Sequence, residues 1–481
     1  MSPLDPKKRW LALYVLCTGV LMIVLDTTIV IVALPTIQAD LQFEGAGLTW
    51  VLNAYMLTFG GFLLLGGRLG DLYGQRRLFL IGLSLFTLAS LACGLADTQV
   101  TLIAARAAQG LGGAVVTAVA LSLIMNLFTE DLDRAKAMGI YAFVCAVGGS
   151  LGEVLGGFFT DFFGWESVFL INLPIGVGVY ACVMLLLPPD SGAVSHRLDL
   201  GGAITVTLGL MLAVYGVVGG NQAGWLSLET TALLATSAAL LGAFLVIESR
   251  VAEPLMPLRL FRFRNLSTSN IIGVLWAAGM FGWFVISALY LQHVLGYDPF
   301  HVGLAFLPAD VLMAIFSAGL SAKVVIRFGI RGPTWVGLLI AALGLAWLGR
   351  APVDGGFLID VLPSMLALGL GAGMAFNPLL LAAMNDVSQE ESGLASGVVN
   401  TSFMMGGALG LAILASLAEA RTSALVSDGT DAIVALNGGY QLAFCIGALL
   451  TALGAVIGAL FLRPKPVDGA KAPVVPDSAA G

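Results

Sequence analysis

Asp26, Arg106 and Glu153 stand inside runs that are otherwise apolar: LMIVLDTTIVIVALP, AARAAQGLGGA and AVGGSLGEVLGGFF. A charge in hydrocarbon is costly and is normally turned toward a cavity or a partner, so these three are candidates for function. Arg106 keeps its proton under all ordinary conditions and needs a carboxylate or solvent beside it. Pairing Arg106 with Asp26, or alternatively with Glu153, leaves the other carboxylate free to gain and lose a proton between two states. That is the chemistry of proton coupling. A unit charge moved through a membrane potential yields about 2.3 kcal/mol per 100 mV, enough to bias a two-state equilibrium.

Asp310, in VGLAFLPADVLMAIF, is expected to face a central cavity from the side opposite Asp26, where it suits a cationic substrate or a second protonation site. Asp71 lies among Arg68, Arg76 and Arg77 in GRLGDLYGQRR. A carboxylate there can pair with arginine or accept from helix N-terminal amides when that side is shut, which makes Asp71, Arg76 and Arg77 a candidate gate. Trp276, Met280 and Phe403 are expected to line an adaptable apolar pocket, with Asn377 as a polar group in its wall.

The elements that must hold these residues follow from composition. Of 481 residues 58% are hydrophobic and only 11% charged, too little polar surface for a water-soluble domain. Apolar segments of about 20 residues, each long enough for the hydrocarbon core, recur at 11–34, 50–67, 78–96, 101–125, 137–160, 168–187, 198–220, 231–248, 267–291, 302–325, 332–350, 357–383, 394–419 and 438–462. Continuous apolarity predicts helices rather than barrel strands, and hence an all-α polytopic membrane protein with fourteen transmembrane helices. With the N-terminus cytoplasmic, nineteen of the 22 Lys and Arg residues fall on the cytoplasmic side, which places both termini there. At about 1.5 Å per residue, Asp26, Arg106 and Glu153 all lie in the outer half of the bilayer and are expected to share one cavity.

Tyr-Gly-Gln-Arg at 73–76 and Phe-Gly-Ile-Arg at 328–331 follow the second segment of two groups. This predicts two six-helix bundles, 1–187 and 251–462, joined by two additional helices in 188–250 and followed by a disordered cytoplasmic tail at 463–481. The glycines of 148–157 predict close helix contact and a helix that bends, with room beside Glu153 for water, a proton or a cationic ligand. Cys17, Cys93, Cys145, Cys182 and Cys445 all lie in apolar segments, as buried small hydrophobes do, so no disulfide, metal or other cofactor is expected. No nucleophile and base, or metal-ligand spacing, marks an enzyme, and nothing points to nucleic acid.

GRLGDLYGQRR (67–77), LDTTIVIVALPTI (25–37), AARAAQGLGGA (104–114), SVFLINLPIG (167–176) and LASGVVNTSFMMGGALG (394–410) together resemble the major facilitator superfamily. Within it the resemblance is to the fourteen-spanner drug:proton antiporters of the EmrB and QacA type. That resemblance implies the major facilitator fold in a bacterial inner membrane and export by alternating access, driven by inward proton flow. Asp26 and Arg106 then look like members of the coupling network and Asp71 like the cytoplasmic gate carboxylate. Asp310 is similar in placement to an acid that some relatives use with cationic drugs. Three departures stand out: Glu153 replaces the proline of the helix 5 signature, Ile326 stands where the second loop signature has aspartate, and Phe403-Met404 replaces an Arg-Gln pair. The expected partners are protons, membrane lipids and small lipophilic or cationic substrates, carried by a monomer. Two other functions compete: a dedicated exporter of one endogenous metabolite or lipid, and a non-transporting receptor.

Overall fold

The computed structural model describes residues 5–128, 130–188, 199–251, 254–256, 258–316, 320–384 and 392–463. All regular structure among the described residues is helical, because backbone polar groups in hydrocarbon must be satisfied within their own segment. The first six helices are α1 (Pro6–Leu41), α2 (Trp50–Tyr73), α3 (Gln75–Gly94), α4 (Gln99–Leu127), α5 (Asp131–Phe163) and α6 (Ser167–Leu186). Two more follow, α7 (Leu200–Ala223) and α8 (Leu228–Arg250). The last six are α9 (Arg264–Leu289), α10 (Pro299–Ile315), α11 (Arg331–Leu348), α12 (Leu362–Met384), α13 (Ser392–Ser427) and α14 (Ala432–Phe461). Among the described residues eleven helices are long and apolar enough to cross a membrane, and Gly47–Leu63 and Pro299–Ile315 are shorter apolar helices. The protein is thus an all-α polytopic membrane protein. Large apolar side chains such as Leu88, Leu185 and Leu449 point outward, as helix faces against lipid tails do.

Side-chain caps set where several helices begin. Thr98 and Thr101 form a reciprocal capping box at α4, Ser227 accepts from the Thr230 amide at α8, and Asp431 accepts from the Ile433 amide at α14. Asp298 caps α10 by accepting from the His301 amide, and that bond holds its carboxyl below the usual range. The tenth apolar segment, expected as one helix over 302–325, is helical on both sides of residues 317–319, which lie outside the described residues: α10 covers Pro299–Ile315 and a further helix Ser321–Phe328. Helix α5 runs unbroken through residue 153, since no proline is present to remove an amide donor.

Within the first six helices, α2 packs on α4, α3 on α4 and α6, and α1 on α5 and α6. Within the last six, α11 packs on α12 and α14, α9 on α13 and α14, and α10 on α12. Helices α7 and α8 pack on each other, and α7 also touches both α2 and α13. The main seams between the first and last six are α5 against α10 and α2 against α13.

Candidate functional site

The densest buried polar cluster joins four helices. Arg106 and Gln109, three residues apart on α4, project from one helix face toward Asp26 of α1. Arg106 Nη1 donates to Asp26 Oδ2 at 2.6 Å and to Gln109 Oε1 at 2.6 Å, and its Nε donates to the Val51 carbonyl at 2.9 Å. The other carboxylate oxygen of Asp26 accepts from Gln109 Nε2 at 2.7 Å and from Asn172 Nδ2 of α6 at 2.8 Å. Ser90 of α3 accepts from both Gln109 and Asn172. Asp26 and Arg106 are both 0% exposed, and the guanidinium lies 4.3 Å from the centre of the Tyr55 ring. A buried ion pair needs further hydrogen bonds on its remaining atoms; Gln109 and Asn172 supply them to Asp26, Gln109 and the Val51 carbonyl to two of the guanidinium nitrogens, while Arg106 Nη2 has no hydrogen-bond partner. The spacing of Gln109 three residues after Arg106 was the available sequence signal for it. Ser90 carried none, being one serine in an apolar helix.

Glu153 is not part of this cluster, which corrects the expectation that residues 26, 106 and 153 share one cavity. Its carboxyl lies within hydrogen-bonding reach of the Asp310 carboxyl, across the seam between α5 and α10. Glu153 is 1% exposed and Asp310 5%. Asp310 therefore does not face an open central cavity opposite Asp26 but closes onto the other helix group. The glycines of α5 explain why. Gly149 faces open space, but the three that follow are filled: a Cβ on Gly152 would meet the Leu25 carbonyl oxygen at 2.8 Å, one on Gly156 the Ile29 carbonyl oxygen at 2.4 Å, and one on Gly157 the Pro299 carbonyl oxygen at 2.5 Å. In return a Cβ on Gly303 of α10 would stand 2.6 Å from the Glu153 carbonyl oxygen. Glycine thus lets α1 and α10 approach two faces of α5, and residue 153 is carried to the α10 face.

Trp276 of α9, Phe376 of α12 and Phe403 of α13 form an aromatic triangle with ring centres 5.7 to 6.3 Å apart. Met280, one turn after Trp276, packs against it. The structure thus brings together Trp276, Met280 and Phe403 of the expected pocket and leaves Asp310 outside it. Asn377 follows Phe376 on α12 and is half-buried. Phe376 is 44% exposed, so the triangle presents one open ring. At the expected gate, Arg76 donates to the Met184 carbonyl of α6 at 3.0 Å, and Arg77 is exposed. The side chain of Asp71 lies outside the described residues.

A cavity of about 310 Å³ opens at the end of the bundle remote from the basic loops, lined by Gln38, His293, Glu419 and Tyr440 among mainly apolar neighbours. Sequence reading passed over Glu419 and His293 because both lie near helix ends, where a polar residue is ordinary. No group of three or more His, Cys, Asp or Glu with metal-holding placement occurs among the described residues.

The profile of the Major Facilitator Superfamily matches residues 16–411. The chain is 39% identical to the Cephamycin export protein CmcT of Amycolatopsis lactamdurans, over 88% of this chain and 89% of that protein. It is 37% identical to the Puromycin resistance protein pur8 of Streptomyces alboniger, over 93% and 90% respectively. The Multidrug resistance protein Stp of Mycobacterium tuberculosis is 37% identical over 86% of this chain and 77% of its own length. Among solved structures, a bacterial homolog of the human lysosomal transporter Spinster, inward-facing and unoccupied, aligns with a TM-score of 0.66 at 16% identity, covering 95% of this chain and 98% of its own. That likeness concerns the fold alone.

Proposed function

The chain belongs to the Major Facilitator Superfamily, and from that membership we propose that it exports lipophilic, cationic small molecules from the cytoplasm in exchange for protons. It is a membrane transporter related to drug-export and resistance proteins, not an enzyme. In the proposed cycle the helices of 1–187 and 251–462 act as two bundles that open alternately to either side, as in the EmrB and QacA type of antiporter. Both termini are cytoplasmic, and the protein works as a monomer in the bacterial inner membrane.

One observation carries the reading: the fully buried Asp26–Arg106 pair, hydrogen-bonded to Gln109 and Asn172 across three helices. A proton placed on Asp26 removes the charge that Arg106 is paired with, and it turns one oxygen from acceptor into donor. The packing of α1, α4 and α6 around the cluster must then change. Proton binding and helix arrangement are therefore linked, which is what coupling requires. The aromatic triangle with its open Phe376 ring offers a flat, polarisable surface for a lipophilic cation.

The test uses sealed inverted vesicles, an imposed pH gradient and a fluorescent lipophilic cation. Asp26→Asn abolishes gradient-driven uptake. Full uptake by that variant overturns the reading. A second reading, a dedicated exporter of one metabolite, is favoured by the single compounds named in relatives such as the cephamycin exporter and the Tetracenomycin C resistance and export protein of Streptomyces glaucescens. A panel of structurally unrelated cations separates the two, since a dedicated carrier moves none of them.

A further inference from the structure

The Glu153–Asp310 contact has no role in the coupling cluster around Asp26, yet it lies at the tightest seam between the first and last six helices. Glycine contacts flank it on both sides. Gly157 meets the Pro299 carbonyl toward the end of α5 at Phe163, and Gly303 meets the Glu153 carbonyl itself. Ten residues separate Glu153 from Phe163, so the carboxyl pair is about 15 Å inside that end of the helix. The same end is held by a bond from Gln292 Nε2 to the Val32 carbonyl at 2.9 Å and by the Phe162 and Phe300 rings, 6.4 Å apart. On the Lys and Arg distribution this is the outer side, and at this seam it is shut.

Neither oxygen of Glu153 nor Oδ2 of Asp310 has a protein donor within reach, although both residues are more than nine-tenths buried. Two carboxylates offer only acceptors to each other, so a contact between them demands one proton: one group donates and the other accepts. No other charge takes part. Of the elements packed on α5 and α10, α1 supplies Asp26, which is turned to α4, and Asp40, which accepts from Trp165. From α4 comes Arg106, already engaged, and α12 supplies no ionisable residue. The turn 290–294 supplies Tyr290, which donates to the Pro352 carbonyl, and His293, which lines the outer cavity. At the start of α10, His301 is paired with Asp298 on the surface.

We infer that Glu153 and Asp310 form a binding site for one proton, shared between the two helix groups, that latches the outer side shut. When the seam parts, the shared proton passes to water in the outer opening and both groups are carboxylates. The closed arrangement binds one proton more than the parted one, so acid favours closure, and the ratio of closed to open molecules changes by up to tenfold per pH unit. The latch rests on the alternating-access reading, and it is separate from the coupling assigned to Asp26.

The experiment places spin labels at Phe162→Cys and Phe300→Cys in the full chain in lipid nanodiscs, with the native cysteines changed to serine, and follows the inter-label distance from pH 5 to pH 9. The short-distance fraction rises as pH falls. In Glu153→Gln/Asp310→Asn it is high and flat with pH, because the amides supply a donor without a proton; Asp26→Asn keeps the pH response while losing gradient-driven uptake. A flat response in the unsubstituted pair, or an undiminished one in the double variant, overturns the latch; the latter outcome assigns the response to a group such as His301. Uptake retained by Asp26→Asn overturns the export mechanism and leaves the latch standing. Thermal unfolding of each labelled protein, together with a resolved short distance, shows that the variants are folded.

Discussion

Removing Asp26 takes away the carboxylate paired with Arg106, a cation with no exposure to solvent. At the observed 2.6 Å separation and an effective dielectric constant of about 20, the pair attracts by about 6 kcal/mol. Asp26→Asn keeps the shape and an amide oxygen for Nη1, and Arg106 retains the Val51 carbonyl and the Tyr55 ring, so the expected loss is lower, about 3–5 kcal/mol. Arg106→Gln strands the Asp26 carboxylate with only Gln109 and Asn172 as donors and costs about 3 kcal/mol for the same reason. The double variant leaves no charge in this cluster. It is therefore expected to be more stable than the sum of the single losses predicts, by about 2–3 kcal/mol. Thermal unfolding of the four proteins in one detergent, followed by tryptophan fluorescence, completes the cycle. Additivity to within about 0.5 kcal/mol would refute the claim that the two residues are an energetic unit. Transport supplies the second readout. All three variants are expected to lose gradient-driven uptake, the double variant included. Uptake restored along with stability means that the pair only braces α1 against α4 and carries no proton.

Gly303→Val places a branched side chain where a Cβ already stands 2.6 Å from the Glu153 carbonyl and 3.2 Å from the Val154 Cα. Backbone cannot swing aside, so the closed outer seam loses about 1–3 kcal/mol relative to the parted one, roughly a 5- to 150-fold shift in the ratio. A thiol reagent that reacts with a cysteine at position 162 no faster in this variant than in its parent contradicts the packing. Phe376→Ala removes the open ring of the aromatic triangle, and binding of a fluorescent lipophilic cation is expected to weaken about fivefold, the worth of roughly 1 kcal/mol of ring contact, with little change in unfolding temperature. An unchanged dissociation constant excludes the triangle from the binding surface.

How far the fold was legible in the residues depends on how local the cause is. Helices, their approximate limits and the membrane setting follow from apolar runs of the right length, a property of each segment taken alone. The Asp26–Arg106 pair was one of two pairings open to Arg106. Depth along a helix is readable at a fixed rise per residue, which is why all three charges were expected at similar depth. Azimuth is another matter. Gly152, Gly156 and Gly157 read equally well as empty space or as close contact, and only the packing shows that α1 fills one face of α5 and α10 the other.

The amino-acid sequence by itself determined that this chain is a multi-helix membrane protein, which charges lie deep in it, and that its motifs are those of a transporter superfamily. It could do so because hydrophobicity, length and motif order are one-dimensional quantities. Tertiary structure alone decided the partners: Asp26 with Arg106, Gln109 and Asn172, Glu153 with Asp310, and Trp276 with Phe376 and Phe403. A helix rotated by one residue turns its side chains through about 100°, and nothing local specifies that angle. It is set when glycine-lined backbones meet, and with it the choice of which buried acid faces a cation and which faces another acid.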